Sequence, residues 1–262
     1  MFIKAKKSLG QNFLIDRSVL DQIVDTVEIT NKAVLEIGPG SGNLTAFILK
    51  KKPKKFYVIE KDDELALLLK NKFTEEITII NDDVLKIHED KISKEKLTVF
   101  GNLPYNISTE ILSKWIINID KNFWFESLVL MFQKEVAERI IAESNTSKYG
   151  RLSILSNWKL HIQKVIDIKP QSFSPQPKID STLLLFKPRE NFFQLKEAKN
   201  LEMLTRVFFS QRRKMLKKPF NQIFRNAKEV SKKFDIDLNL RPQNLEAEMY
   251  FKLVKEYESL RR

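Results

Sequence analysis

The sequence predicts an α/β fold, a parallel sheet covered on both faces, with a small all-helical domain at the C-terminal end. Three observations carry this reading. Short apolar runs alternate with helical stretches from residue 33 to about residue 143. The first of those runs leads straight into Gly38-Pro39-Gly40-Ser41-Gly42, and strand candidates stop after Pro188. Strands of four to six residues separated by helices need crossover connections, and those connections cover both faces of a parallel sheet.

Residues 17–28 place Val19, Leu20, Ile23, Val24 and Val27 on one helical stripe, with Asp16 as the cap. Residues 33–37 form a short apolar strand, and a helix through Leu44 and Ile48 follows the glycine loop. The alternation continues as strand 56–60, helix 63–73, strand 77–80, strand 97–101, helix 109–119, strand 127–132 and helix 134–143. Residues 162–168 and 181–186 read as strands joined by the proline-rich stretch Lys169 to Lys178, and complete the sheet as a hairpin or edge pair. Beyond Pro188, residues 197–216, 220–233 and 243–257 read as helices. The predicted division is therefore 1–188 and 189–262.

Composition narrows the chemistry. The chain has 46 basic and 34 acidic residues, a balance of +12 that favours a polyanionic partner. It has no cysteine, which excludes disulfides, thiolate nucleophiles and cysteine-ligated zinc, and fits a reducing compartment. His88 and His161 stand far apart in mixed polar surroundings and read as non-catalytic, and no metal is expected. No stretch reaches membrane-spanning length without charges, and the start lacks a long apolar segment. A cytoplasmic protein with no membrane partner is expected.

The glycine loop has a definite physical use. Glycines let the backbone turn tightly and approach a ligand with no Cβ in the way, so Gly38, Gly40 and Gly42 read as cofactor-binding. Glu36, just before them, repels a phosphate but attracts an ammonium such as the methionyl amine of S-adenosylmethionine. Glu60 closes the second strand of the series, where a carboxylate can accept from both hydroxyls of a ribose. Asp83 follows the third and can accept from the amino group of the cofactor's adenine; Asp82 beside it is less committed. Three acidic groups after three successive strands point to a nucleoside-bearing cofactor.

After the fourth strand comes Asn102-Leu103-Pro104-Tyr105. The exocyclic amine of adenine is a poor nucleophile because its lone pair is delocalised into the ring. The Asn102 side-chain carbonyl and a backbone carbonyl at Leu103 or Pro104 can bind its hydrogens and favour a pyramidal amine. Pro104 fixes the backbone direction and Tyr105 can stack on the base. Positioning and a polar environment then supply most of the rate. An adenine in nucleic acid must be turned out to reach such a pocket, and Phe173 is a candidate for its other face. On the residues alone the adenine can belong to RNA or to DNA, and a ribosome assembly factor acting by binding is a reading from another class.

Together these segments closely resemble the KsgA/RsmA family of ribosomal RNA small-subunit adenine dimethyltransferases. The resemblance runs through Gly10-Gln-Asn-Phe-Leu14, Glu36 to Gly42, Asn102-Leu-Pro-Tyr-Asn-Ile-Ser108, Gln133-Lys-Glu-Val136, Tyr149-Gly-Arg-Leu-Ser153, Phe173 to Ser181, Arg212-Arg-Lys214 and Arg241-Pro-Gln-Asn-Leu245. It implies a Rossmann-like S-adenosylmethionine-dependent methyltransferase sheet with a C-terminal helical domain. It also implies dimethylation at N6 of two adjacent adenines in the 3′-terminal hairpin of 16S rRNA, within the immature 30S subunit. By motif position it assigns cofactor contacts to Asn12, Leu14, Gly38, Glu60, Asp83 and Asn102, with Gln11 a neighbour. The reaction loop carries over to Asn102 through Tyr105, with Phe173 as the second aromatic wall. Asp82 stands where the family often has glycine.

Arg206, Arg212, Arg213, Lys214, Lys217 and Lys218 form a basic run beside this chemistry and read as phosphate contacts. Lys4, Lys6, Lys7, Arg139, Lys148 and Arg151 add to the same field. Since the accessory domain has an RNA-binding use, a monomer is expected.

Overall fold

The computed structural model describes residue 6, residues 10–119 and residues 122–261. Strand β1 (Phe13–Leu14) precedes helix α1 (Arg17–Val24), whose cap is Asp16, accepting from the Ser18 and Val19 N–H groups. Then come β2 (Ala33–Ile37), α2 (Asn43–Lys50), β3 (Lys55–Ile59), α3 (Asp63–Phe73), β4 (Thr78–Ile80), β5 (Leu97–Asn102), α4 (Ser108–Asn118), β6 (Phe125–Gln133) and α5 (Lys134–Ile140). Helix α6 (Arg151–Lys159) leads into β7 (Leu160–Ile168), followed by the two-residue β8 (Phe173–Ser174) and β9 (Ser181–Pro188). Four helices close the chain: α7 (Ala198–Phe209), α8 (Lys217–Ile223), α9 (Ala227–Lys233) and α10 (Ala247–Ser259).

The main sheet has the order β4-β3-β2-β5-β6-β9-β7, with β4 through β6 parallel and β9 antiparallel to β6. All five residues of β2 are buried, as a central strand covered on both faces requires. As expected, the two strands that flank the proline-rich stretch, β7 and β9, are neighbours and complete the sheet at its edge. β9 inserts between β6 and β7, and the stretch itself supplies β8, which pairs with β1 in a separate two-stranded ladder.

The chain divides into two compact units. The first comprises the described residues up to Trp115 together with Ile119–Ala137 and Ile162–Pro188; the second comprises Ile116–Asn118, Glu138–His161 and the described residues from Arg189. The boundary is thus not a single cut after Pro188. Helix α6 packs against α7 and α10 and belongs with the helical unit. That helix has no polar face to announce it: Ser153, Ile154, Leu155, Ser156, Trp158 and Lys159 are all buried. Within the second unit the core is aromatic, with Phe208 packed on Phe220 and Tyr250, whose hydroxyl donates to the Pro242 carbonyl at 2.6 Å.

Two predicted helices differ from what forms. The span 197–216 ends as a helix at Phe209, so Arg212, Arg213 and Lys214 sit in a turn. The span 220–233 is two short helices broken around Phe224. No helix among the described residues is long and apolar enough to cross a membrane.

Candidate active site

The order of the sheet reverses at β2, whose neighbours are β3 on one side and β5 on the other. In open α/β sheets ligands sit outside the carboxyl ends of the strands at such a switch point. The register pairs Ile37 with Gly101, so the glycine loop and Asn102 emerge side by side. Gly38 through Ser41 and Asn102 line one open cleft of about 190 Å³, which also takes in Gly10 to Leu14, Glu36, Glu60, Asp82, Asp83 and Leu103 through Ile107. Gly42, expected to bind the cofactor, is not part of that lining and lies against Phe73 and Leu69.

The glycine loop is shaped by what lies over it. Gly40 has φ +58°, and a Cβ there would meet the Phe13 ring at 2.8 Å. Gly42 has φ +77°, and its Cβ would meet the Phe73 ring at 2.6 Å. Side chains larger than hydrogen are therefore refused twice, by backbone conformation and by space. Phe13 thus covers the loop, a role not visible in its sequence position. Its segment is tied down by the Asn43 Nδ2, which donates to the Leu14 carbonyl at 2.7 Å, and by Asp62. Asp62 accepts from the Gln11 side-chain amide at 3.1 Å and from the Lys6 ammonium at 2.9 Å.

The three acidic groups reach the same cleft in different states. Glu36 is buried and accepts from the Thr45 hydroxyl at 2.7 Å. Burial pushes its carboxyl up to about 8, against the Thr45 hydrogen bond, and the neighbouring Glu60 adds to the rise. Such a carboxyl keeps its proton near neutral pH. Glu60 accepts from the Gly40 N–H at 3.1 Å and the Asp62 N–H at 2.9 Å, one on each oxygen. Burial raises its carboxyl, and these two backbone donors oppose the rise. A carboxylate has about four acceptor positions, so acceptor capacity remains on both oxygens. Asp83 is held low by the Lys61 ammonium at 2.8 Å and by the Leu85 N–H at 3.0 Å. Asp82 accepts from the Asp83 N–H at 2.7 Å and so braces the turn. The segment after Asp83 is further fixed by Lys114, which donates to the Val84 and Ile87 carbonyls and to Glu89.

In the reaction loop the Asn102 Nδ2 donates to the Asn12 carbonyl at 2.8 Å, which turns its Oδ1 away as an acceptor; among the described residues no donor reaches it. The Pro104 carbonyl already accepts from the Ile107 N–H at 3.1 Å. The Leu103 carbonyl is then the better second acceptor. Tyr105 is held at both ends, by the Ser108 hydroxyl on its carbonyl at 3.2 Å and by the Ser181 hydroxyl 2.5 Å from its own.

Phe173 is not brought to this loop. It is 1% exposed, belongs to the apolar core with Leu14, Ile168 and Leu183, and does not line the cleft. Its strand pairs Phe173 with Leu14, and cross-strand partners share a face, so both side chains turn into the core.

In the helical unit Arg151, Arg206, Arg213, Lys214, Lys217 and Lys218 are exposed. Arg212 is engaged differently: its Nε donates to Gln243 Oε1 and its Nη2 to the Thr146 carbonyl, both at 3.2 Å, bracing two loops. Lys148 pairs with Glu138, and Lys6 with Asp62. Lys4 and Lys7 lie outside the described residues. Among the described residues no three His, Cys, Asp or Glu side chains gather as a metal site.

The model of the ribosomal RNA adenine dimethylases matches residues 2–259. The chain belongs to that family. A ribosomal RNA small subunit methyltransferase A of Pelagibacter ubique (strain HTCC1062) is 76% identical over 261 residues, covering 100% of each chain. One of Prochlorococcus marinus (strain AS9601) is 36% identical over 259 residues, covering 95% of this chain and 94% of the other. Among solved structures, a dimethyladenosine transferase from Plasmodium falciparum superposes with a TM-score of 0.81 at 28% identity, covering 94% of this chain and 98% of that one. The 23S rRNA methyltransferase ErmE shares the fold, with a TM-score of 0.70 at 22% identity over 94% of this chain and 100% of its own. The chain is accordingly an S-adenosylmethionine-dependent methyltransferase acting on adenine in ribosomal RNA, on a Rossmann-like sheet followed by a helical region.

Proposed function

We propose that the protein converts two adjacent adenines in the 3′-terminal hairpin loop of 16S rRNA to N6,N6-dimethyladenosine. It does so as a cytoplasmic monomer acting on the immature 30S subunit. The observation that carries the reading is Asn102, a residue of the cleft lining whose amide nitrogen is committed to the Asn12 carbonyl, which leaves its oxygen to accept.

S-adenosylmethionine, when bound, would supply an electrophilic sulfonium methyl for the N6 lone pair, with S-adenosylhomocysteine as the leaving thioether. The chain's own groups fit such a donor: Glu36 offers a buried acid for an ammonium, Glu60 keeps acceptors for a ribose diol, and Asp83 stands where an adenine amine can donate. Gln11, Asn12, Leu14, Gly38 and Gly40 line the same cleft. Asn102 Oδ1 and the Leu103 carbonyl take the hydrogens of the target amine and hold its lone pair out of the ring plane. Tyr105 stacks on the base, and Pro104 fixes the backbone direction after the Leu103 carbonyl. The N6 proton released after transfer goes to solvent, since no His or Cys lines the cleft.

The exposed cations Arg151, Arg206, Arg213, Lys214, Lys217 and Lys218 hold phosphates and set register, and base identity is read at the pocket. Residues 189–262, together with α6, form the RNA-gripping part, and the sheet unit the catalytic part. The test is labelled methyl transfer to undermethylated 30S subunits, 50S subunits and duplex DNA in parallel. Transfer to 30S alone is expected; equal labelling of DNA would overturn the choice of carrier.

A further inference from the structure

We infer that Ser181 is a positioning residue for the transfer step, fixing the plane of the Tyr105 ring from behind. Ser181 opens β9, is fully buried, and lies opposite Gln133 of β6, so its place is set by the sheet and not by a loop. Its hydroxyl is 2.5 Å from that of Tyr105, across 76 residues of sequence. Tyr105 itself emerges from a turn that, among the described residues, the Ile107–Pro104 and Ser108–Tyr105 hydrogen bonds hold at the main chain. A ring attached only at its Cβ end turns about two side-chain torsions, the second of them broad. Tethering the far end to a buried strand residue removes that freedom before any base arrives.

The segment Phe173 to Ser181 therefore serves the pocket through its last residue. Phe173 lies in the core, whereas Ser181 reaches the stacking tyrosine. An aromatic wall already in its final plane lets a base stack without ordering the side chain at the same time, which favours the reacting geometry.

The inference rests on Tyr105 being a wall of the target-base pocket, and the test separates the two. Ser181→Ala, Tyr105→Phe, the double variant and Tyr105→Ala are assayed on undermethylated 30S subunits for kcat, KM and cofactor affinity. The two single variants are expected to lose about 3- to 10-fold in kcat, the range of one hydrogen bond. Cofactor affinity and RNA KM stay unchanged, and the double variant falls no further than either single. Additive losses, or unchanged kcat in Ser181→Ala while Tyr105→Ala is impaired, would overturn the positioning role and leave the tyrosine's in place. A lowered melting temperature with full kcat would make Ser181 structural only. Full activity in Tyr105→Ala would remove the wall, and the inference with it.

Discussion

Replacing Glu60 with glutamine separates what the side chain does for the protein from what it does for the ligand. In the folded chain its two oxygens accept from two backbone donors, the Gly40 N–H at 3.1 Å and the Asp62 N–H at 2.9 Å, and the residue is only 6% exposed. Glutamine has one acceptor oxygen, so one of those N–H groups must face an amide NH2. A buried donor left unsatisfied costs about 1–3 kcal/mol, and that cost falls on the protein with or without cofactor. It lowers thermal stability and largely cancels from the binding equilibrium. What does not cancel is the loss of a charged acceptor for the ribose hydroxyls, about 1.5–3 kcal/mol. The dissociation constant for S-adenosylhomocysteine should therefore rise about 10- to 100-fold. Calorimetric titration reads the second quantity and thermal unfolding the first. Lower stability with an unchanged dissociation constant would refute the ribose assignment and leave Glu60 as a brace for the glycine loop.

The remaining predictions concern the other cleft residues and the basic surface. Glu36, pushed up to about 8 by burial, binds its proton in the folded chain across the range in which the unfolded carboxyl has lost it. Its contribution to stability is thus complete below about pH 4.5 and is lost as pH rises through about 8, and Glu36→Gln should flatten that slope in pH-dependent thermal unfolding. The same carboxyl should release a proton when a ligand ammonium binds at pH 7, read from binding enthalpies in buffers of different ionisation heat; zero release would remove the ion pair from the account. Asn102→Ala should lower kcat by about 100-fold or more, within the range seen when one preorganised polar group is removed, while cofactor affinity changes less. Unchanged turnover would take Asn102 out of the mechanism. Replacing both Arg213 and Lys214 with alanine should lessen the salt dependence of 30S binding, whereas Arg212→Ala should chiefly lower stability, because its guanidinium braces the Thr146 and Gln243 loops. A larger change of salt slope in Arg212→Ala than in the double variant would reverse those roles.

Much of the sheet was legible in the sequence because its strands are short apolar runs with a glycine loop or an acidic residue at the exit. Periodicity placed α3 at residues 63–73, where the helix forms. It failed at α6, which is buried on nearly every side and carries no amphipathic stripe to read. It also failed at the end of α7, where the run Gln211 to Lys214 has helix-compatible residues yet turns, with the Lys214 N–H bonding to the Gln211 carbonyl. The site was legible as residue types at strand exits, and the cleft gathers Glu36, Glu60, Asp83 and Asn102. Hydrogen-bond partners were not legible. That Glu60 spends one acceptor on each of two backbone groups depends on a register 20 residues away. Phe173 shows the same limit: the β1–β8 ladder that turns it inward joins residues about 160 apart. A two-residue strand carries no periodic signal.

The most direct measurement is nucleoside mass spectrometry of undermethylated 30S subunits after incubation with the protein and S-adenosylmethionine, with the methylated fragment mapped. The account predicts N6,N6-dimethyladenosine at two adjacent positions in the 3′-terminal hairpin of 16S rRNA, absent when the Asn102→Ala protein is used. Methylation of another nucleoside, or of adenines elsewhere in the subunit, would contradict it.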